Sequence, residues 1–105
     1  MVPTLHIEKF ESGMYVATLE DAGEPMFEEK MFSNVAEVIR YFGEDAPNDL
    51  IQFMDIKYSG YGIGTISTVR MKSEPEVLAK DLMSLYSAVI NAEEKMQYQK
   101  QLSKA

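Results

Sequence analysis

Few residues in this chain are suited to acid–base chemistry. The 105 residues include a single histidine, His6, and no cysteine. Catalysis by histidine requires an orienting carboxylate and a nucleophile within hydrogen-bond reach. Glu8 falls on the same face of a predicted strand and Ser12 is a local hydroxyl, but such side chains are common on exposed strands. The sequence therefore predicts no catalytic residue and a protein that is not an enzyme. It also predicts no metal or other cofactor, since the usual zinc sites need histidine and cysteine ligands.

A glycine-rich segment with two flanking tyrosines is the second candidate for chemistry. A dinucleotide-binding loop has the spacing G-x-G-x-x-G and joins a strand to a helix. In residues 59–64 the spacing is G-x-G-x-G between two predicted strands, which indicates a hairpin turn. Tyr58, Gly60 and Tyr61 are the predicted contacts for a ligand or peptide. A small ligand-binding protein or enzyme that uses this loop or His6 is accordingly one hypothesis for function.

Negative charge is concentrated in the first half of the chain. Residues 1–50 carry eleven Asp and Glu against three Lys and Arg, whereas residues 51–105 carry six against seven, for a net charge of −7. This balance argues against nucleic acid and anionic membranes as partners. The acidic side chains either keep the protein soluble or form a surface for a basic protein, as in an acidic inhibitor or nucleic-acid mimic. The candidate acidic surface comprises Glu20, Asp21, Glu24, Glu28, Glu29, Glu44, Asp45 and Asp49.

Length and composition predict one domain. A chain of 105 residues, 46% of them hydrophobic, is large enough for a single core. The absence of cysteine favours a cytoplasmic location, since small secreted domains often carry disulfides. No run of about 18 apolar residues predicts a membrane span, and the N-terminal residues lack the pattern of a signal peptide.

The spacing of apolar and turn residues predicts five strands and two helices. Residues 5–10 and 14–20 read as a hairpin, 26–32 as a third strand, and 50–58 and 65–71 as a second pair. Asn34 and Glu37 fit the cap of a short helix that ends at Gly43. We expect an α+β fold in the order βββ-α-ββ-α, with a mostly antiparallel five-stranded sheet and a long C-terminal helix packed on one face.

The C-terminal helix carries the clearest pattern in the chain. It opens at residues 73–76 with a capping box and a proline in the first turn, and about residues 97–105 are expected to fray or project. Its apolar stripe covers more than half of the circumference, so two faces need burial. One face is expected on the domain's own sheet, and the other on the short helix of the same domain or on the equivalent helix of a second copy. We therefore predict a homodimer, and a protein-binding or adaptor module as the leading hypothesis for function. The predicted self-association residues are Leu78, Leu82, Leu85, Tyr86, Val89 and Ile90.

Overall fold

The fold is α+β, as expected, and ends in a long C-terminal helix. The computed structural model describes residues 1–47 and 49–103, with side chains described as far as Gln97. Within those ranges the elements are β1 (Thr4–Glu11), β2 (Met14–Asp21), β3 (Glu24–Pro25), β4 (Lys30–Phe32), α1 (Val35–Asp45), β5 (Phe53–Tyr58), β6 (Tyr61–Ser67), α2 (Thr68–Ser73) and α3 (Pro75–Ser103).

The sheet is mixed rather than purely antiparallel. Its strand order is β3-β2-β1-β5-β6, and β4 also pairs with β2. The pairs β1–β2 and β5–β6 are antiparallel, whereas β5 runs parallel to β1, with Leu5 opposite Ile56. A parallel neighbour requires a crossover, and α1 lies in the connection between the first strands and β5. The first strands and β5 therefore meet in the centre of one sheet.

One face of the sheet carries the core and the other is open. Alternate residues of a strand point to opposite faces, and the helices cover only the apolar one. Polar side chains such as His6, Glu20 and Asp55 occupy the open face and are only half-buried. Apolar and polar residues therefore alternate along these strands, as is common where one face of a sheet is buried and the other faces water. The core comprises Leu5, Ile7, Ala17, Leu19, Met54, Ile56, Tyr58 and Ile66 from the sheet, with Val35, Val38, Ile39, Phe42, Ile51, Met71, Leu78 and Leu82 around it.

The predicted third strand, residues 26–32, was wrong in extent. Two short strands, β3 and β4, pair with the two ends of β2, and residues 27–29 leave the sheet between them. Phe27 and Met31, which would lie on one face of a continuous strand, are both about half-exposed. With both side chains largely in water, burial contributes little to holding a continuous strand here.

The predicted strand at residues 65–71 was also wrong in its second half. Strand β6 ends at Ser67, and α2 follows at once. The Ser67 side chain accepts a hydrogen bond from the backbone N–H of Arg70 at 3.2 Å, which caps the helix. Thr68 and Met71, three residues apart, are buried on the inward side of this turn. The β-branched residues of this segment are typical of a strand. The Ser67 cap and the burial of Thr68 and Met71 instead stabilise a helix.

Helix α1 begins as predicted but extends beyond its predicted end. The Asn34 side chain accepts the backbone N–H of Glu37 at 2.8 Å, confirming the cap. Gly43 does not end the helix; it is buried two residues before the end, where α1 packs on α2. A Cβ placed at Gly43 would lie 2.7 Å from the Cβ of Met71 and 3.0 Å from the backbone nitrogen of Lys72. Glycine is therefore required here by close helix packing.

The Gly43→Ala substitution is expected to destabilise the protein, although alanine is the better helix former by about 1 kcal/mol. The added methyl group meets a Cβ and backbone atoms that cannot move independently, so we expect a loss of about 1–3 kcal/mol in the free energy of unfolding. Urea denaturation measures this loss. The adjacent exposed substitution Glu44→Ala is the control and should change stability little. An unchanged or increased stability of Gly43→Ala would contradict the packing argument.

Candidate functional site

Helix α3 extends beyond the rest of the domain. Its 29 residues extend for about 44 Å at the usual rise of 1.5 Å per residue. The molecule measures 58 × 27 × 23 Å, and its radius of gyration is 15.7 Å, against roughly 13 Å for a compact domain of this size. The extra length lies in the C-terminal half of α3, where every residue from Asn91 to Gln97 is exposed.

The first half of α3 belongs to the core. Leu78 and Leu82 are 1% and 0% exposed and pack among residues of the sheet and α1. Neither side chain reaches the surface, so a contact with a second copy would have to use other residues of α3. The periodicity that suggested a second contact surface is, in these two turns, the periodicity of the domain's own core.

A tyrosine cluster fixes the middle of α3 to the β5–β6 hairpin. The rings of Tyr58 and Tyr86 meet edge to face with centroids 4.8 Å apart, a favoured aromatic geometry. Tyr15 and Tyr61 extend the cluster on either side. The Tyr61 hydroxyl donates a hydrogen bond of 2.8 Å to Glu93 Oε1, which raises the pKa of the Tyr61 phenol. The cluster thus holds α3 in place just before it leaves the domain.

Of the three residues predicted to contact a ligand or peptide, Tyr58 is buried, Gly60 is exposed and Tyr61 is half-buried. Tyr58 is only 3% exposed and lies in the core. Gly60, with a φ of +86°, forms a tight two-residue turn with Ser59, whose φ is +48°. Positive φ at both central positions is the conformation that favours a twisted hairpin. The hairpin itself is confirmed, and Tyr61 contributes to helix attachment.

An apolar seam runs along α3 past the tyrosine cluster and onto the exposed turns that follow it. We define the α3 seam as Leu85, Val89, Ala92 and Met96, which recur at steps of four, three and four residues. Leu85 and Val89 are half-buried, Ala92 is exposed and Met96 is 58% exposed. Tyr86 and Ile90, also predicted for self-association, are half-buried beside the seam. Steps of four and three place side chains on one stripe suited to packing against another helix.

The open sheet face places the histidine next to an unexpected carboxylate. His6 Nε2 lies 3.1 Å from Glu20 Oε2 on the neighbouring strand, whereas Glu8, the carboxylate considered from the sequence, is exposed further along β1. On the same face the Thr65 hydroxyl donates a hydrogen bond to Asp55. These pairs connect neighbouring strands and leave the face polar.

Part of the candidate acidic surface converges on one groove. Residues 26–29 and the open side of β2 enclose a groove of about 640 Å³, which we call the Phe27 groove. Asp45 lines a separate apolar depression that also includes Phe27. Asp21 and Glu24 face each other in the β2–β3 turn, and Glu44 and Asp49 are exposed near the end of α1. The groove is lined by Thr18, Glu20, Pro25, Met26, Phe27, Glu28 and Glu29.

No three acidic or histidine side chains in the described part of the chain lie close enough together to hold a metal ion. Among the helices of residues 1–47 and 49–103, none has the length and apolar content needed to cross a membrane. Comparison of the chain with protein-family models, with curated proteins and with solved structures finds no match. The surfaces described above are therefore the basis for a functional assignment.

Burial of Tyr58 makes the stability of the fold depend on pH at alkaline values. Burial raises the pKa of the Tyr58 phenol above its ordinary 10.0. Because the phenol ionises more readily in the unfolded chain, the contribution of Tyr58 to the free energy of unfolding is complete below about pH 10. This contribution is lost as the pH rises through the folded-state pKa. We expect the free energy of unfolding to fall less steeply above pH 10 in Tyr58→Phe, which has no phenol to ionise. Urea titrations across this range measure both slopes, and identical slopes would contradict the prediction.

Proposed function

We propose that the protein is a homodimeric protein-binding or adaptor module that associates with a second copy through the α3 seam. The observation that carries this proposal is an apolar seam that runs from the half-buried Leu85 and Val89 onto the exposed Ala92 and Met96. An apolar stripe that continues onto solvent-exposed turns has no structural purpose within one copy of the domain.

The stability of the projecting turns supports the same proposal. Isolated helices shorter than about 12–15 residues are marginal in water, because packing rather than propensity supplies most helical stability in proteins. Residues 94–97, the last whose side chains are described, are all exposed. A second helix packed against Ala92 and Met96 would supply the missing contacts by knobs-into-holes packing.

The distribution of charge favours approach of two copies through α3. Each copy carries a net charge of −7, so most relative orientations are repulsive. The half of the chain that contains α3 is nearly neutral, with seven bases against six acids. A seam of only four side chains is short, so we expect a dimer that dissociates on dilution.

The acidic side chains support a second candidate function, binding to a basic protein as an inhibitor or nucleic-acid mimic. The observation that favours it is the shared position of Glu20, Glu28 and Glu29 in one groove. Complexes of this type weaken steeply as salt is added, because salt screens the attraction between exposed charges. Capture of the protein on immobilised polylysine over a range of salt concentrations tests this candidate, and salt-independent capture would contradict it.

The Ala92→Glu substitution is expected to convert the dimer to a monomer. Ala92 is exposed in the single copy, so a glutamate there leaves the domain folded but places like charges in the centre of the helix pair. Light scattering over a dilution series measures the mass, and circular dichroism measures the helix content, which should not change.

The matched control is Asn91→Glu, which adds the same charge at an exposed position about 100° around the helix from Ala92 and outside the seam. It should remain dimeric. A wild-type protein that is monomeric throughout the dilution series would overturn the proposed self-association, and so would equal effects of the two substitutions.

A further inference from the structure

The Phe27 groove forms where strand pairing along β2 is interrupted. At one end of β2, Glu20 and Asp21 pair with β3, and at the other end residues 15–17 pair with β4. The backbone N–H of Met26 donates to the carbonyl of Leu19 at 2.8 Å, and the chain then leaves the sheet. Residues 27–29 therefore stand away from β2, and the groove lies between the two.

Phe27 is the apolar centre of this region. Its side chain is 49% exposed, although it lines both the groove and the neighbouring depression formed by Phe42, Pro47 and other core-edge residues. A phenylalanine gains stability chiefly by burial, and a half-exposed ring between two depressions retains much unburied apolar surface. A partner that covers the ring would remove this surface from water.

Carboxylates line both the groove and the depression next to it. Glu20, Glu28 and Glu29 line the groove, and Asp45 lines the adjacent depression. Two basic residues of the region, Lys30 and His6, already have partners. The Lys30 ammonium group binds the Tyr41 hydroxyl and lies 4.6 Å from the centroid of its ring, and His6 pairs with Glu20.

The spacing of the carboxylates limits what they can bind. In the described part of the chain they do not converge on a point where three could ligate one metal ion. Carboxylates distributed along a groove instead suit several separate cationic groups. In an extended peptide, side chains on one face recur about every 7 Å, and the aliphatic stem of lysine or arginine can pack on an aromatic ring while its charged end reaches a carboxylate.

From this combination we infer that the Phe27 groove is the docking site for an extended basic segment of a partner protein. Lysine or arginine stems cover Phe27, and their charged ends pair with Glu28 and Glu29, while Glu20, already paired with His6, borders the same groove. The inference rests on the proposed protein-binding function and names the chemistry of its partner. It does not depend on self-association, because β3 and β6 occupy opposite edges of the sheet and α3 contacts the β5–β6 side.

The test uses a fluorescently labelled synthetic peptide of alternating lysine and serine, with fluorescence anisotropy as the measurement. We expect the full-length wild type to bind it at low salt and to lose affinity as salt is added. The double substitution Glu28→Gln with Glu29→Gln should weaken binding about tenfold or more, since it removes two paired charges. Phe27→Ala should weaken binding at every salt concentration, because it removes the apolar contact rather than a charge.

The charge-matched control is the double substitution Glu8→Gln with Glu11→Gln, at two exposed positions of β1. It changes the net charge by the same amount away from the groove and should alter affinity by less than about twofold. The same peptide with acetylated lysines, which lack the charge, should not bind. Thermal denaturation of each variant confirms that it is folded under the conditions of the titration.

The outcomes separate this inference from the proposed dimer. If the two double substitutions weaken peptide binding equally, the proposed docking site is wrong and the peptide is attracted only by the overall negative charge. Failure of the wild type to bind, or unchanged binding by Phe27→Ala, would also overturn it. Ala92→Glu should keep the peptide affinity whether or not it becomes monomeric, and light scattering on the same samples reports the state of α3 independently.

Discussion

The structure depends on burying a single face of the sheet beneath one layer of helices. Because β1 and β5 lie in the centre of the sheet, their apolar side chains are covered only if α1, α2 and the start of α3 pack together over them. The contact of Gly43 with α2 allows this close approach. The opposite face then remains polar and open, so it needs no second layer.

This constraint divides α3 into two parts with different surroundings. Leu78 and Leu82 are committed to the core, and the tyrosine cluster marks the point where the sheet ends beneath the helix. The same four-and-three spacing continues through Ala92 and Met96, both of which are exposed. A single sequence pattern therefore covers buried positions first and exposed positions afterwards.

The sequence predicted what local chemistry determines and failed where tertiary contacts decide. The first hairpin, the Asn34 cap and the long last helix follow from alternation, capping and periodicity, and all three are present. The parallel pairing of β1 with β5 depends on a crossover that no local pattern specifies. Burial of Tyr58 and the close packing at Gly43 likewise depend on distant partners. At residues 68–71 the β-branched composition indicated a strand, but a serine cap and the buried side chain of Met71 favoured a helix.

Charge and topology together explain why two binding surfaces would not interfere. The acidic side chains of the Phe27 groove lie by β3 and β4 at one edge of the sheet, and α3 contacts the β5–β6 side. Two copies that approach with their acidic edges together repel each other, whereas approach through the nearly neutral α3 keeps those edges apart. In such a dimer both grooves stay open to solvent. The same repulsion that disfavours other orientations would then attract a basic partner to each groove, so a single charge distribution would direct both the self-association and the recognition that we propose.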